Sequence, residues 1–227
     1  MSDIKLAISD LHGYIYNRDK LLAFIGKVNE YKPHRVYLVG DIFDLLRFDW
    51  SEFLTNENGI VFYRLILEIA NLIKNYGGII YYVPGNHDSD IIKYSNYLSP
   101  IIITVPEFKD YGILFVHGHQ FDITQKWLEP ILSKFKWLLP SLYRKYCGTP
   151  AELKTTNETQ YTIHCGAISQ KILNKARAED INIIYGHTHQ PKGEWTPEGQ
   201  KAVCCGDMQT ECTYVYIEGD NIEVRKL

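Results

Sequence analysis

The stretch Ile79-Ile80-Tyr81-Tyr82-Val83-Pro84-Gly85-Asn86-His87-Asp88 decides how this chain is read. An apolar run of strand length ends at a turn that glycine permits, and three polar side chains follow at the strand's carboxyl end. Open α/β sheets place their chemistry there. Working outward, the same pattern recurs. Ile4 to Ile8 precedes Ser9-Asp10-Leu11-His12-Gly13, and Val36 to Val39 precedes Gly40-Asp41. Ile113 to Val116 precedes His117-Gly118-His119, and Ile181 to Tyr185 precedes Gly186-His187-Thr188-His189. Five strands are therefore expected to bring Asp, Asn and His to one edge of a sheet.

Helical spacing of apolar residues predicts helices over Arg18 to Tyr31, Ile60 to Tyr76 and Thr159 to Ala178, the second closed by Gly77-Gly78. A short helix is expected from Asp90 to Leu98, stopped by Pro100. Ile101 to Val105 and Tyr111 to Val116 are too close for a helical crossover, which predicts a hairpin about Lys109-Asp110-Tyr111-Gly112. Lys201 to Leu227 alternates like antiparallel strands around Glu218-Gly219-Asp220-Asn221.

With 45% hydrophobic and 22% charged residues, the 227 residues suit one domain spanning positions 1–227. A net charge of -3 lacks the basic excess of a dedicated nucleic-acid binder, so no stable nucleic-acid complex is expected. No basic leader opens the chain and no apolar run reaches the ~18 residues of a membrane span, which predicts a soluble, cytoplasmic protein. Cys147, Cys165, Cys204, Cys205 and Cys212 form an odd set without a C-x-x-C pair, so they are expected to be reduced and mostly buried.

Residues 122–146 interrupt the regular layout. Trp127, Phe135, Trp137 and several leucines are interleaved with Lys126, Lys134, Lys136, Arg144 and Lys145, and Pro130 and Pro140 interrupt the run. The segment reads as two short helices, either an ordinary pair packed on the core or a cap beside the site. A cap of this composition could hold an amphiphilic substrate or touch anionic lipid head groups.

Asp, Asn and His together suit borderline cations such as Mn²⁺, Fe²⁺ or Zn²⁺ better than a carboxylate-only cage does. Asp10, His12, Asp41, Asn86, His117, His187 and His189 are too many donors for one ion and fit two that share a carboxylate. Two such ions clamp an in-line attack at phosphorus.

Asp10-x-His12, Gly40-Asp41-x-x-Asp44, Gly85-Asn86-His87-Asp88, His117-Gly118-His119 and Gly186-His187-x-His189, in this order, resemble the motif set of the calcineurin-like metallophosphoesterases. The resemblance implies an α/β fold, a four-layer α/β/β/α sandwich with the helical cap of 122–146 inserted. It implies two divalent ions, Mn²⁺ first, with Fe, Zn or Mg as alternatives. Asp10, His12 and His189 would hold one, Asn86, His117 and His187 the other, and Asp41 would bridge. His87 would face the phosphate, with Asp88 orienting it. The insertion and the tail from Cys205 to Thr213 are similar to the UDP-2,3-diacylglucosamine hydrolase group, although His119 and His87 stand where that group has Asp and Arg. The expected reaction is hydrolysis of a phosphodiester or nucleotide-linked pyrophosphate by a metal-bridging hydroxide, on a small phosphorylated substrate. A nuclease, a phosphomonoesterase and a non-catalytic scaffold are the alternatives.

Overall fold

In the computed structural model the described residues are 3–13, 16–46, 49–98, 100–122, 138 and 158–227. Most residues of β1 (Ile4–Ile8), β2 (Arg35–Val39) and β3 (Ile79–Val83) are buried, because both faces of their sheet are covered. Leu6, Ile8, Val36, Leu38, Ile80 and Tyr82 pack on α1 (Arg18–Tyr31) and α3 (Glu57–Asn75) through Phe24, Val28, Phe62 and Ile69. The alternate residues Ala7, Tyr37, Val39 and Val83 point the other way and meet Phe115, Ile184 and Val203 of a second sheet. That sheet's outer residues, Leu114, Val116, Ile183, Tyr185 and Ala202, pack on Ile168, Ile172 and Ala176 of α4 (Glu158–Glu179). Three apolar cores thus separate four layers, α/β/β/α, as expected.

The first sheet adds β4 (Ile102–Thr104), β10 (Thr213–Glu218) and β11 (Asn221–Lys226), in the order β11-β10-β1-β2-β3-β4. The second holds β5 (Phe108–Asp110), β6 (Ile113–Phe115), β7 (Asn182–Tyr185), β8 (Lys192–Trp195) and β9 (Lys201–Cys204), in the order β5-β6-β7-β9-β8. Local chemistry sets the helix limits. Asn17 caps α1, its side chain accepting from Lys20 N–H, and Lys32 ends the helix in the left-handed region. A capping box of Asp49 and Glu52 starts α2 (Trp50–Thr55), a helix the sequence reading did not mark.

Three expectations are corrected and a fourth is refined. The motif strands do not share one sheet: β1, β2 and β3 belong to the first, β6 and β7 to the second. Residues 101–105 and 111–116 do not form a hairpin, since β4 pairs in parallel with β3 while β6 pairs with β5. The tight turn is Tyr111-Gly112, both at positive φ, joining Asp110 to its partner Ile113. The chain changes sheets between β4 and β5, and an apolar run carries no label saying which sheet will take it. Of the C-terminal strands, only β10 and β11 form the antiparallel hairpin, while β9 runs parallel to β7. The short helix expected at 90–98 is part of a 3-10 segment, Asn86–Tyr97.

Two features hold the sheets together. Tyr37 of the first stacks on Phe115 of the second with ring centroids 3.7 Å apart. At the amino ends of β1 and β2, away from the motif loops, Asp110 of β5 lies 3.5 Å from Lys5 Nζ, 3.3 Å from Arg35 Nη1, and accepts from Tyr37 O–H. Truncating a buried ring such as Phe115 to alanine costs about 3–5 kcal/mol.

Of residues 122–146, expected to form two cap helices, all but Asp122 and Leu138 lie outside the described residues, as does Cys147. The other four cysteines are free and buried. No helix among the described residues is long and apolar enough to cross a membrane.

Candidate metal centre

Beyond their strand ends, the first two motif loops keep pairing. Asp10 N–H donates to Gly40 O at 3.0 Å, and His12 N–H to Asp41 O at 2.9 Å. The loops turn so sharply that Asp10, His12, Asp41, Asp44, His187 and His189 all adopt positive φ. Left-handed backbone at non-glycine residues is uncommon and gathers where surrounding structure forces it, above all at functional sites. Gly40, also at positive φ, has the His117 ring where a side chain would begin, and at Gly85 a Cβ would strike the Asp41 carboxylate. These two glycines let the loops of β2, β3 and β6 close on one point.

The result is two clusters of buried donors with separate members, and a third group, His12 with Asp44 and His87, that shares His12 with the first. Asp10, His12 and His189 bring their ligand atoms within 4.8 Å of one another, and so do Asp41, His117 and His187. Each imidazole has one nitrogen turned toward an oxygen outside its cluster. His117 Nδ1 donates to Val39 O at 2.9 Å and His187 Nε2 bonds Asp122 Oδ2 at 3.1 Å. His12 Nδ1 lies 3.3 Å from Asp44 Oδ2, and His189 Nδ1 lies 3.4 Å from Asp207 Oδ2. The inward atoms are close but misaligned. Asp10 Oδ1 sits 2.9 Å from His189 Nε2, and His117 Nε2 sits 3.1 Å from Asp41 Oδ2. Among the described residues, neither Asp10 Oδ1 nor His117 Nε2 makes a hydrogen bond by angle as well as distance, and His12 Nε2 is buried with no partner. Lone pairs approach in this way when they converge on a common point, and leaving them buried and unsatisfied is unfavourable by about 1–3 kcal/mol each.

Charge is shared across the centre. Burial works against ionised Asp41, but His117, His87 and His12 more than reverse it and hold the carboxyl well below the usual range. Asp10 is also lowered, burial being outweighed by His189 and then His117. Burial opposes a charged His117, yet Asp41 lifts it to about 9, and Asp10 with Asp207 lifts His189 to about 10. His187 moves down, chiefly by burial, against the pull of Asp122. His119, beside His117 and His187 with ring centroids 5.5 and 6.4 Å away, is pushed down to about 3 by burial and then by its two neighbours.

The Asn86-His87-Asp88 turn is placed between these groups. His87 N–H donates to Asp41 Oδ1 at 2.9 Å, and His87 Nδ1 meets Asp44 Oδ1 at 2.7 Å. The Asp88 side chain, expected to orient His87, bonds the loop that carries Asp44. Its carboxylate accepts from the N–H groups of Ile42, Phe43 and Asp44 and from Tyr82 O–H, which fastens the loop after β2 onto the end of β3. Asp44 reaches His87 because the loop bound by Asp88 folds back over the turn.

The calcineurin-like phosphoesterase family matches the sequence over residues 6–191, from β1 through the last histidine motif. The chain belongs to that family. No curated protein matches it by sequence. Among solved structures, the Escherichia coli phosphoesterase Yfce is 14% identical, with a TM-score of 0.53, over 98% of this chain and 92% of that one. TT1561 of Thermus thermophilus is 13% identical, with a TM-score of 0.51, over 100% of this chain and 99% of that one. These likenesses are of fold.

Calcineurin-like phosphoesterases bind two divalent metal ions, and the donors of this member fit such ions. Two Asp/His/His sets with inward, unsatisfied atoms offer the mixed oxygen and nitrogen ligation of borderline cations. Asn86 stands at the turn directly before His87, at the start of the 3-10 segment. Sequence reasoning missed the residues that hold the donors. Asp122 lies outside the five strand-end motifs, and Asp207 lies in the Cys205–Thr213 tail, where it was given no role. Asp44 was visible within Gly40-Asp41-x-x-Asp44, without a role.

Proposed function

We propose that this member of the family is a two-ion hydrolase of phosphodiester or nucleotide-linked pyrophosphate substrates. The observation that carries the reading is the pair of Asp/His/His clusters with His87 fastened beside them by Asp41 and Asp44. In this reading Asp10, His12 and His189 hold one ion, Asn86, His117 and His187 hold the other, and Asp41 serves both. When bound, two such ions supply an acidified water near neutral pH and charge to balance the phosphoryl oxygens, and Mn²⁺ is the ion of choice here.

The chain's own residues do the rest. Asp44 is held well below the usual carboxylate range, burial being overcome by His12 and His87, so it accepts the Nδ1 proton of His87. In this reading His87 Nε2 faces the substrate, where a protonated ring can stabilise a phosphoryl oxygen and give its proton to the leaving oxygen. Asp88 acts at one remove, by keeping residues 42–44 where Asp44 can reach His87. No covalent enzyme intermediate is needed, since phosphoryl transfer is chiefly positioning and charge stabilisation. The tail from Cys205 to Thr213 supports an anhydride substrate through its similarity to the UDP-2,3-diacylglucosamine hydrolase group, and the apolar, basic composition of 122–146 supports an amphiphilic one.

The test is a panel of a phosphomonoester, a small phosphodiester and a nucleotide-sugar pyrophosphate, each with Mn²⁺, on wild type and His87→Ala. The variant is expected to keep its ions and lose about 10²-fold or more in turnover. A preference for the phosphomonoester, or a variant that loses its ions, overturns the assignment.

A further inference from the structure

Asp122 is 3% exposed, and a single oxygen of its carboxylate serves two histidines. His187 Nε2 lies 3.1 Å from Asp122 Oδ2 and His164 Nε2 lies 3.0 Å from the same atom. An ionised carboxylate only accepts, so both imidazoles donate. His164 belongs to α4, and two neighbours on the same face of that helix also reach the loop carrying His187. Tyr161 O–H donates to Thr188 O at 2.5 Å, and Cys165 Sγ lies 3.7 Å from the same carbonyl. The start of α4 is thus fastened to the histidine loop at Thr188 and, through Asp122, at His187.

We infer that Asp122 is a positioning residue for the ion at the second cluster, and that His164 anchors it from α4. With Nε2–H committed to Asp122, the nitrogen His187 has for an ion is Nδ1, and the hydrogen bond sets both the tautomer and the plane of the ring. The His164 bond restrains the shared oxygen on its other side. Losing it removes one restraint on Asp122, and through Asp122 on the plane of the His187 ring. The inference rests on the two-ion reading for its effect on metal, but not for its effect on the tautomer.

The experiment therefore has two readouts. Long-range ¹H–¹⁵N correlation of the histidine rings in metal-free protein is expected to find His187 as the Nε2–H tautomer in wild type and as a mixture in Asp122→Ala. Calorimetric titration with Mn²⁺ is expected to show Asp122→Ala weakening one of the two ions about 10–100-fold, the usual effect of removing such a partner, and sparing the other. His164→Leu should weaken the same ion by less, and His164→Gln, whose amide N–H can replace the imidazole donor, should recover most of it. A folded His164→Gln no better than His164→Leu overturns the anchoring role. Wild-type His187 found as the Nδ1–H tautomer overturns the whole inference, including in the case where wild type binds a single ion and the two-ion reading itself fails.

Discussion

The two donor clusters have the same composition, one aspartate and two histidines, but their rings are held differently. In the second, His117 and His187 are already aligned by hydrogen bonds of 2.9 and 3.1 Å to Val39 O and Asp122. In the first, His12 and His189 stand 3.3 and 3.4 Å from Asp44 and Asp207, and neither ring nitrogen of His12 makes a hydrogen bond to a described residue. One cluster is set before an ion arrives. The other has more unsatisfied valence for an ion to complete. Ring alignment, not ligand type, is what distinguishes them, and it predicts two metal affinities of unequal size with the second cluster the tighter.

The largest expected effect comes from removing Asp41, proposed above to serve both ions. Asp41 accepts from His87 N–H and faces His117 Nε2, so Asp41→Asn should weaken both ions and reduce turnover by more than any single outer residue does. Metal analysis after dialysis checks this, and a variant that retains two ions at wild-type affinity removes Asp41 from its shared role. A smaller and more selective change separates the clusters. Asp207→Ala should lower only the weaker affinity, by about 10–100-fold, as read by calorimetry with Mn²⁺. Equal losses at both affinities would erase the distinction drawn between them.

The smallest effect is on stability, and its sign follows from the raised histidines. His117 and His189 titrate near 9 and 10 in the folded protein and near 6.5 when unfolded. Their pairing with Asp41 and Asp10 therefore stabilises the metal-free protein fully below about pH 6.5, and that contribution fades as pH rises through 9 to 10. Melting temperature in chelator should fall across this window by several degrees, at roughly 2–4 °C per kcal/mol for a chain of this size. Metal takes the place of those protons, so affinity for Mn²⁺ should rise with pH and the loaded protein should show a flatter curve. A metal-free curve as flat as the loaded one contradicts the assignment of charge to these pairs.

What could be read from residues alone was whatever depends on neighbours in the chain. A strand of four or five apolar residues ending in a polar turn is a local statement, and it located β1, β2, β3, β6 and β7 along with Asp10, Asp41, His87, His117, His187 and His189. The period of apolar positions placed α1 at Arg18–Tyr31 and came within a residue of both ends of α4. The resemblance of the motif set carried the four layers. Partnerships between distant segments were a different matter. That β4 joins β3 while β5 joins β6 is decided by which sheet face each short apolar run completes, and both choices bury the same kinds of side chain. Likewise, Asp88 and Asp44 both stand near His87 in reach of a plausible hydrogen bond, and only the folding back of residues 42–44 gives His87 to Asp44 and spends Asp88 on backbone N–H groups. Asp122 and His164 had no motif to mark them, and Asp207 stood in the Cys205–Thr213 tail without a role, since a carboxylate that supports a histidine needs only to arrive within about 3 Å, from any direction and any part of the chain. Sequence determined which donor atoms stand at the strand ends, because that depends on residue type in a local pattern. Tertiary structure decided what holds them, because a hydrogen bond is specified by distance and angle and not by position in the chain.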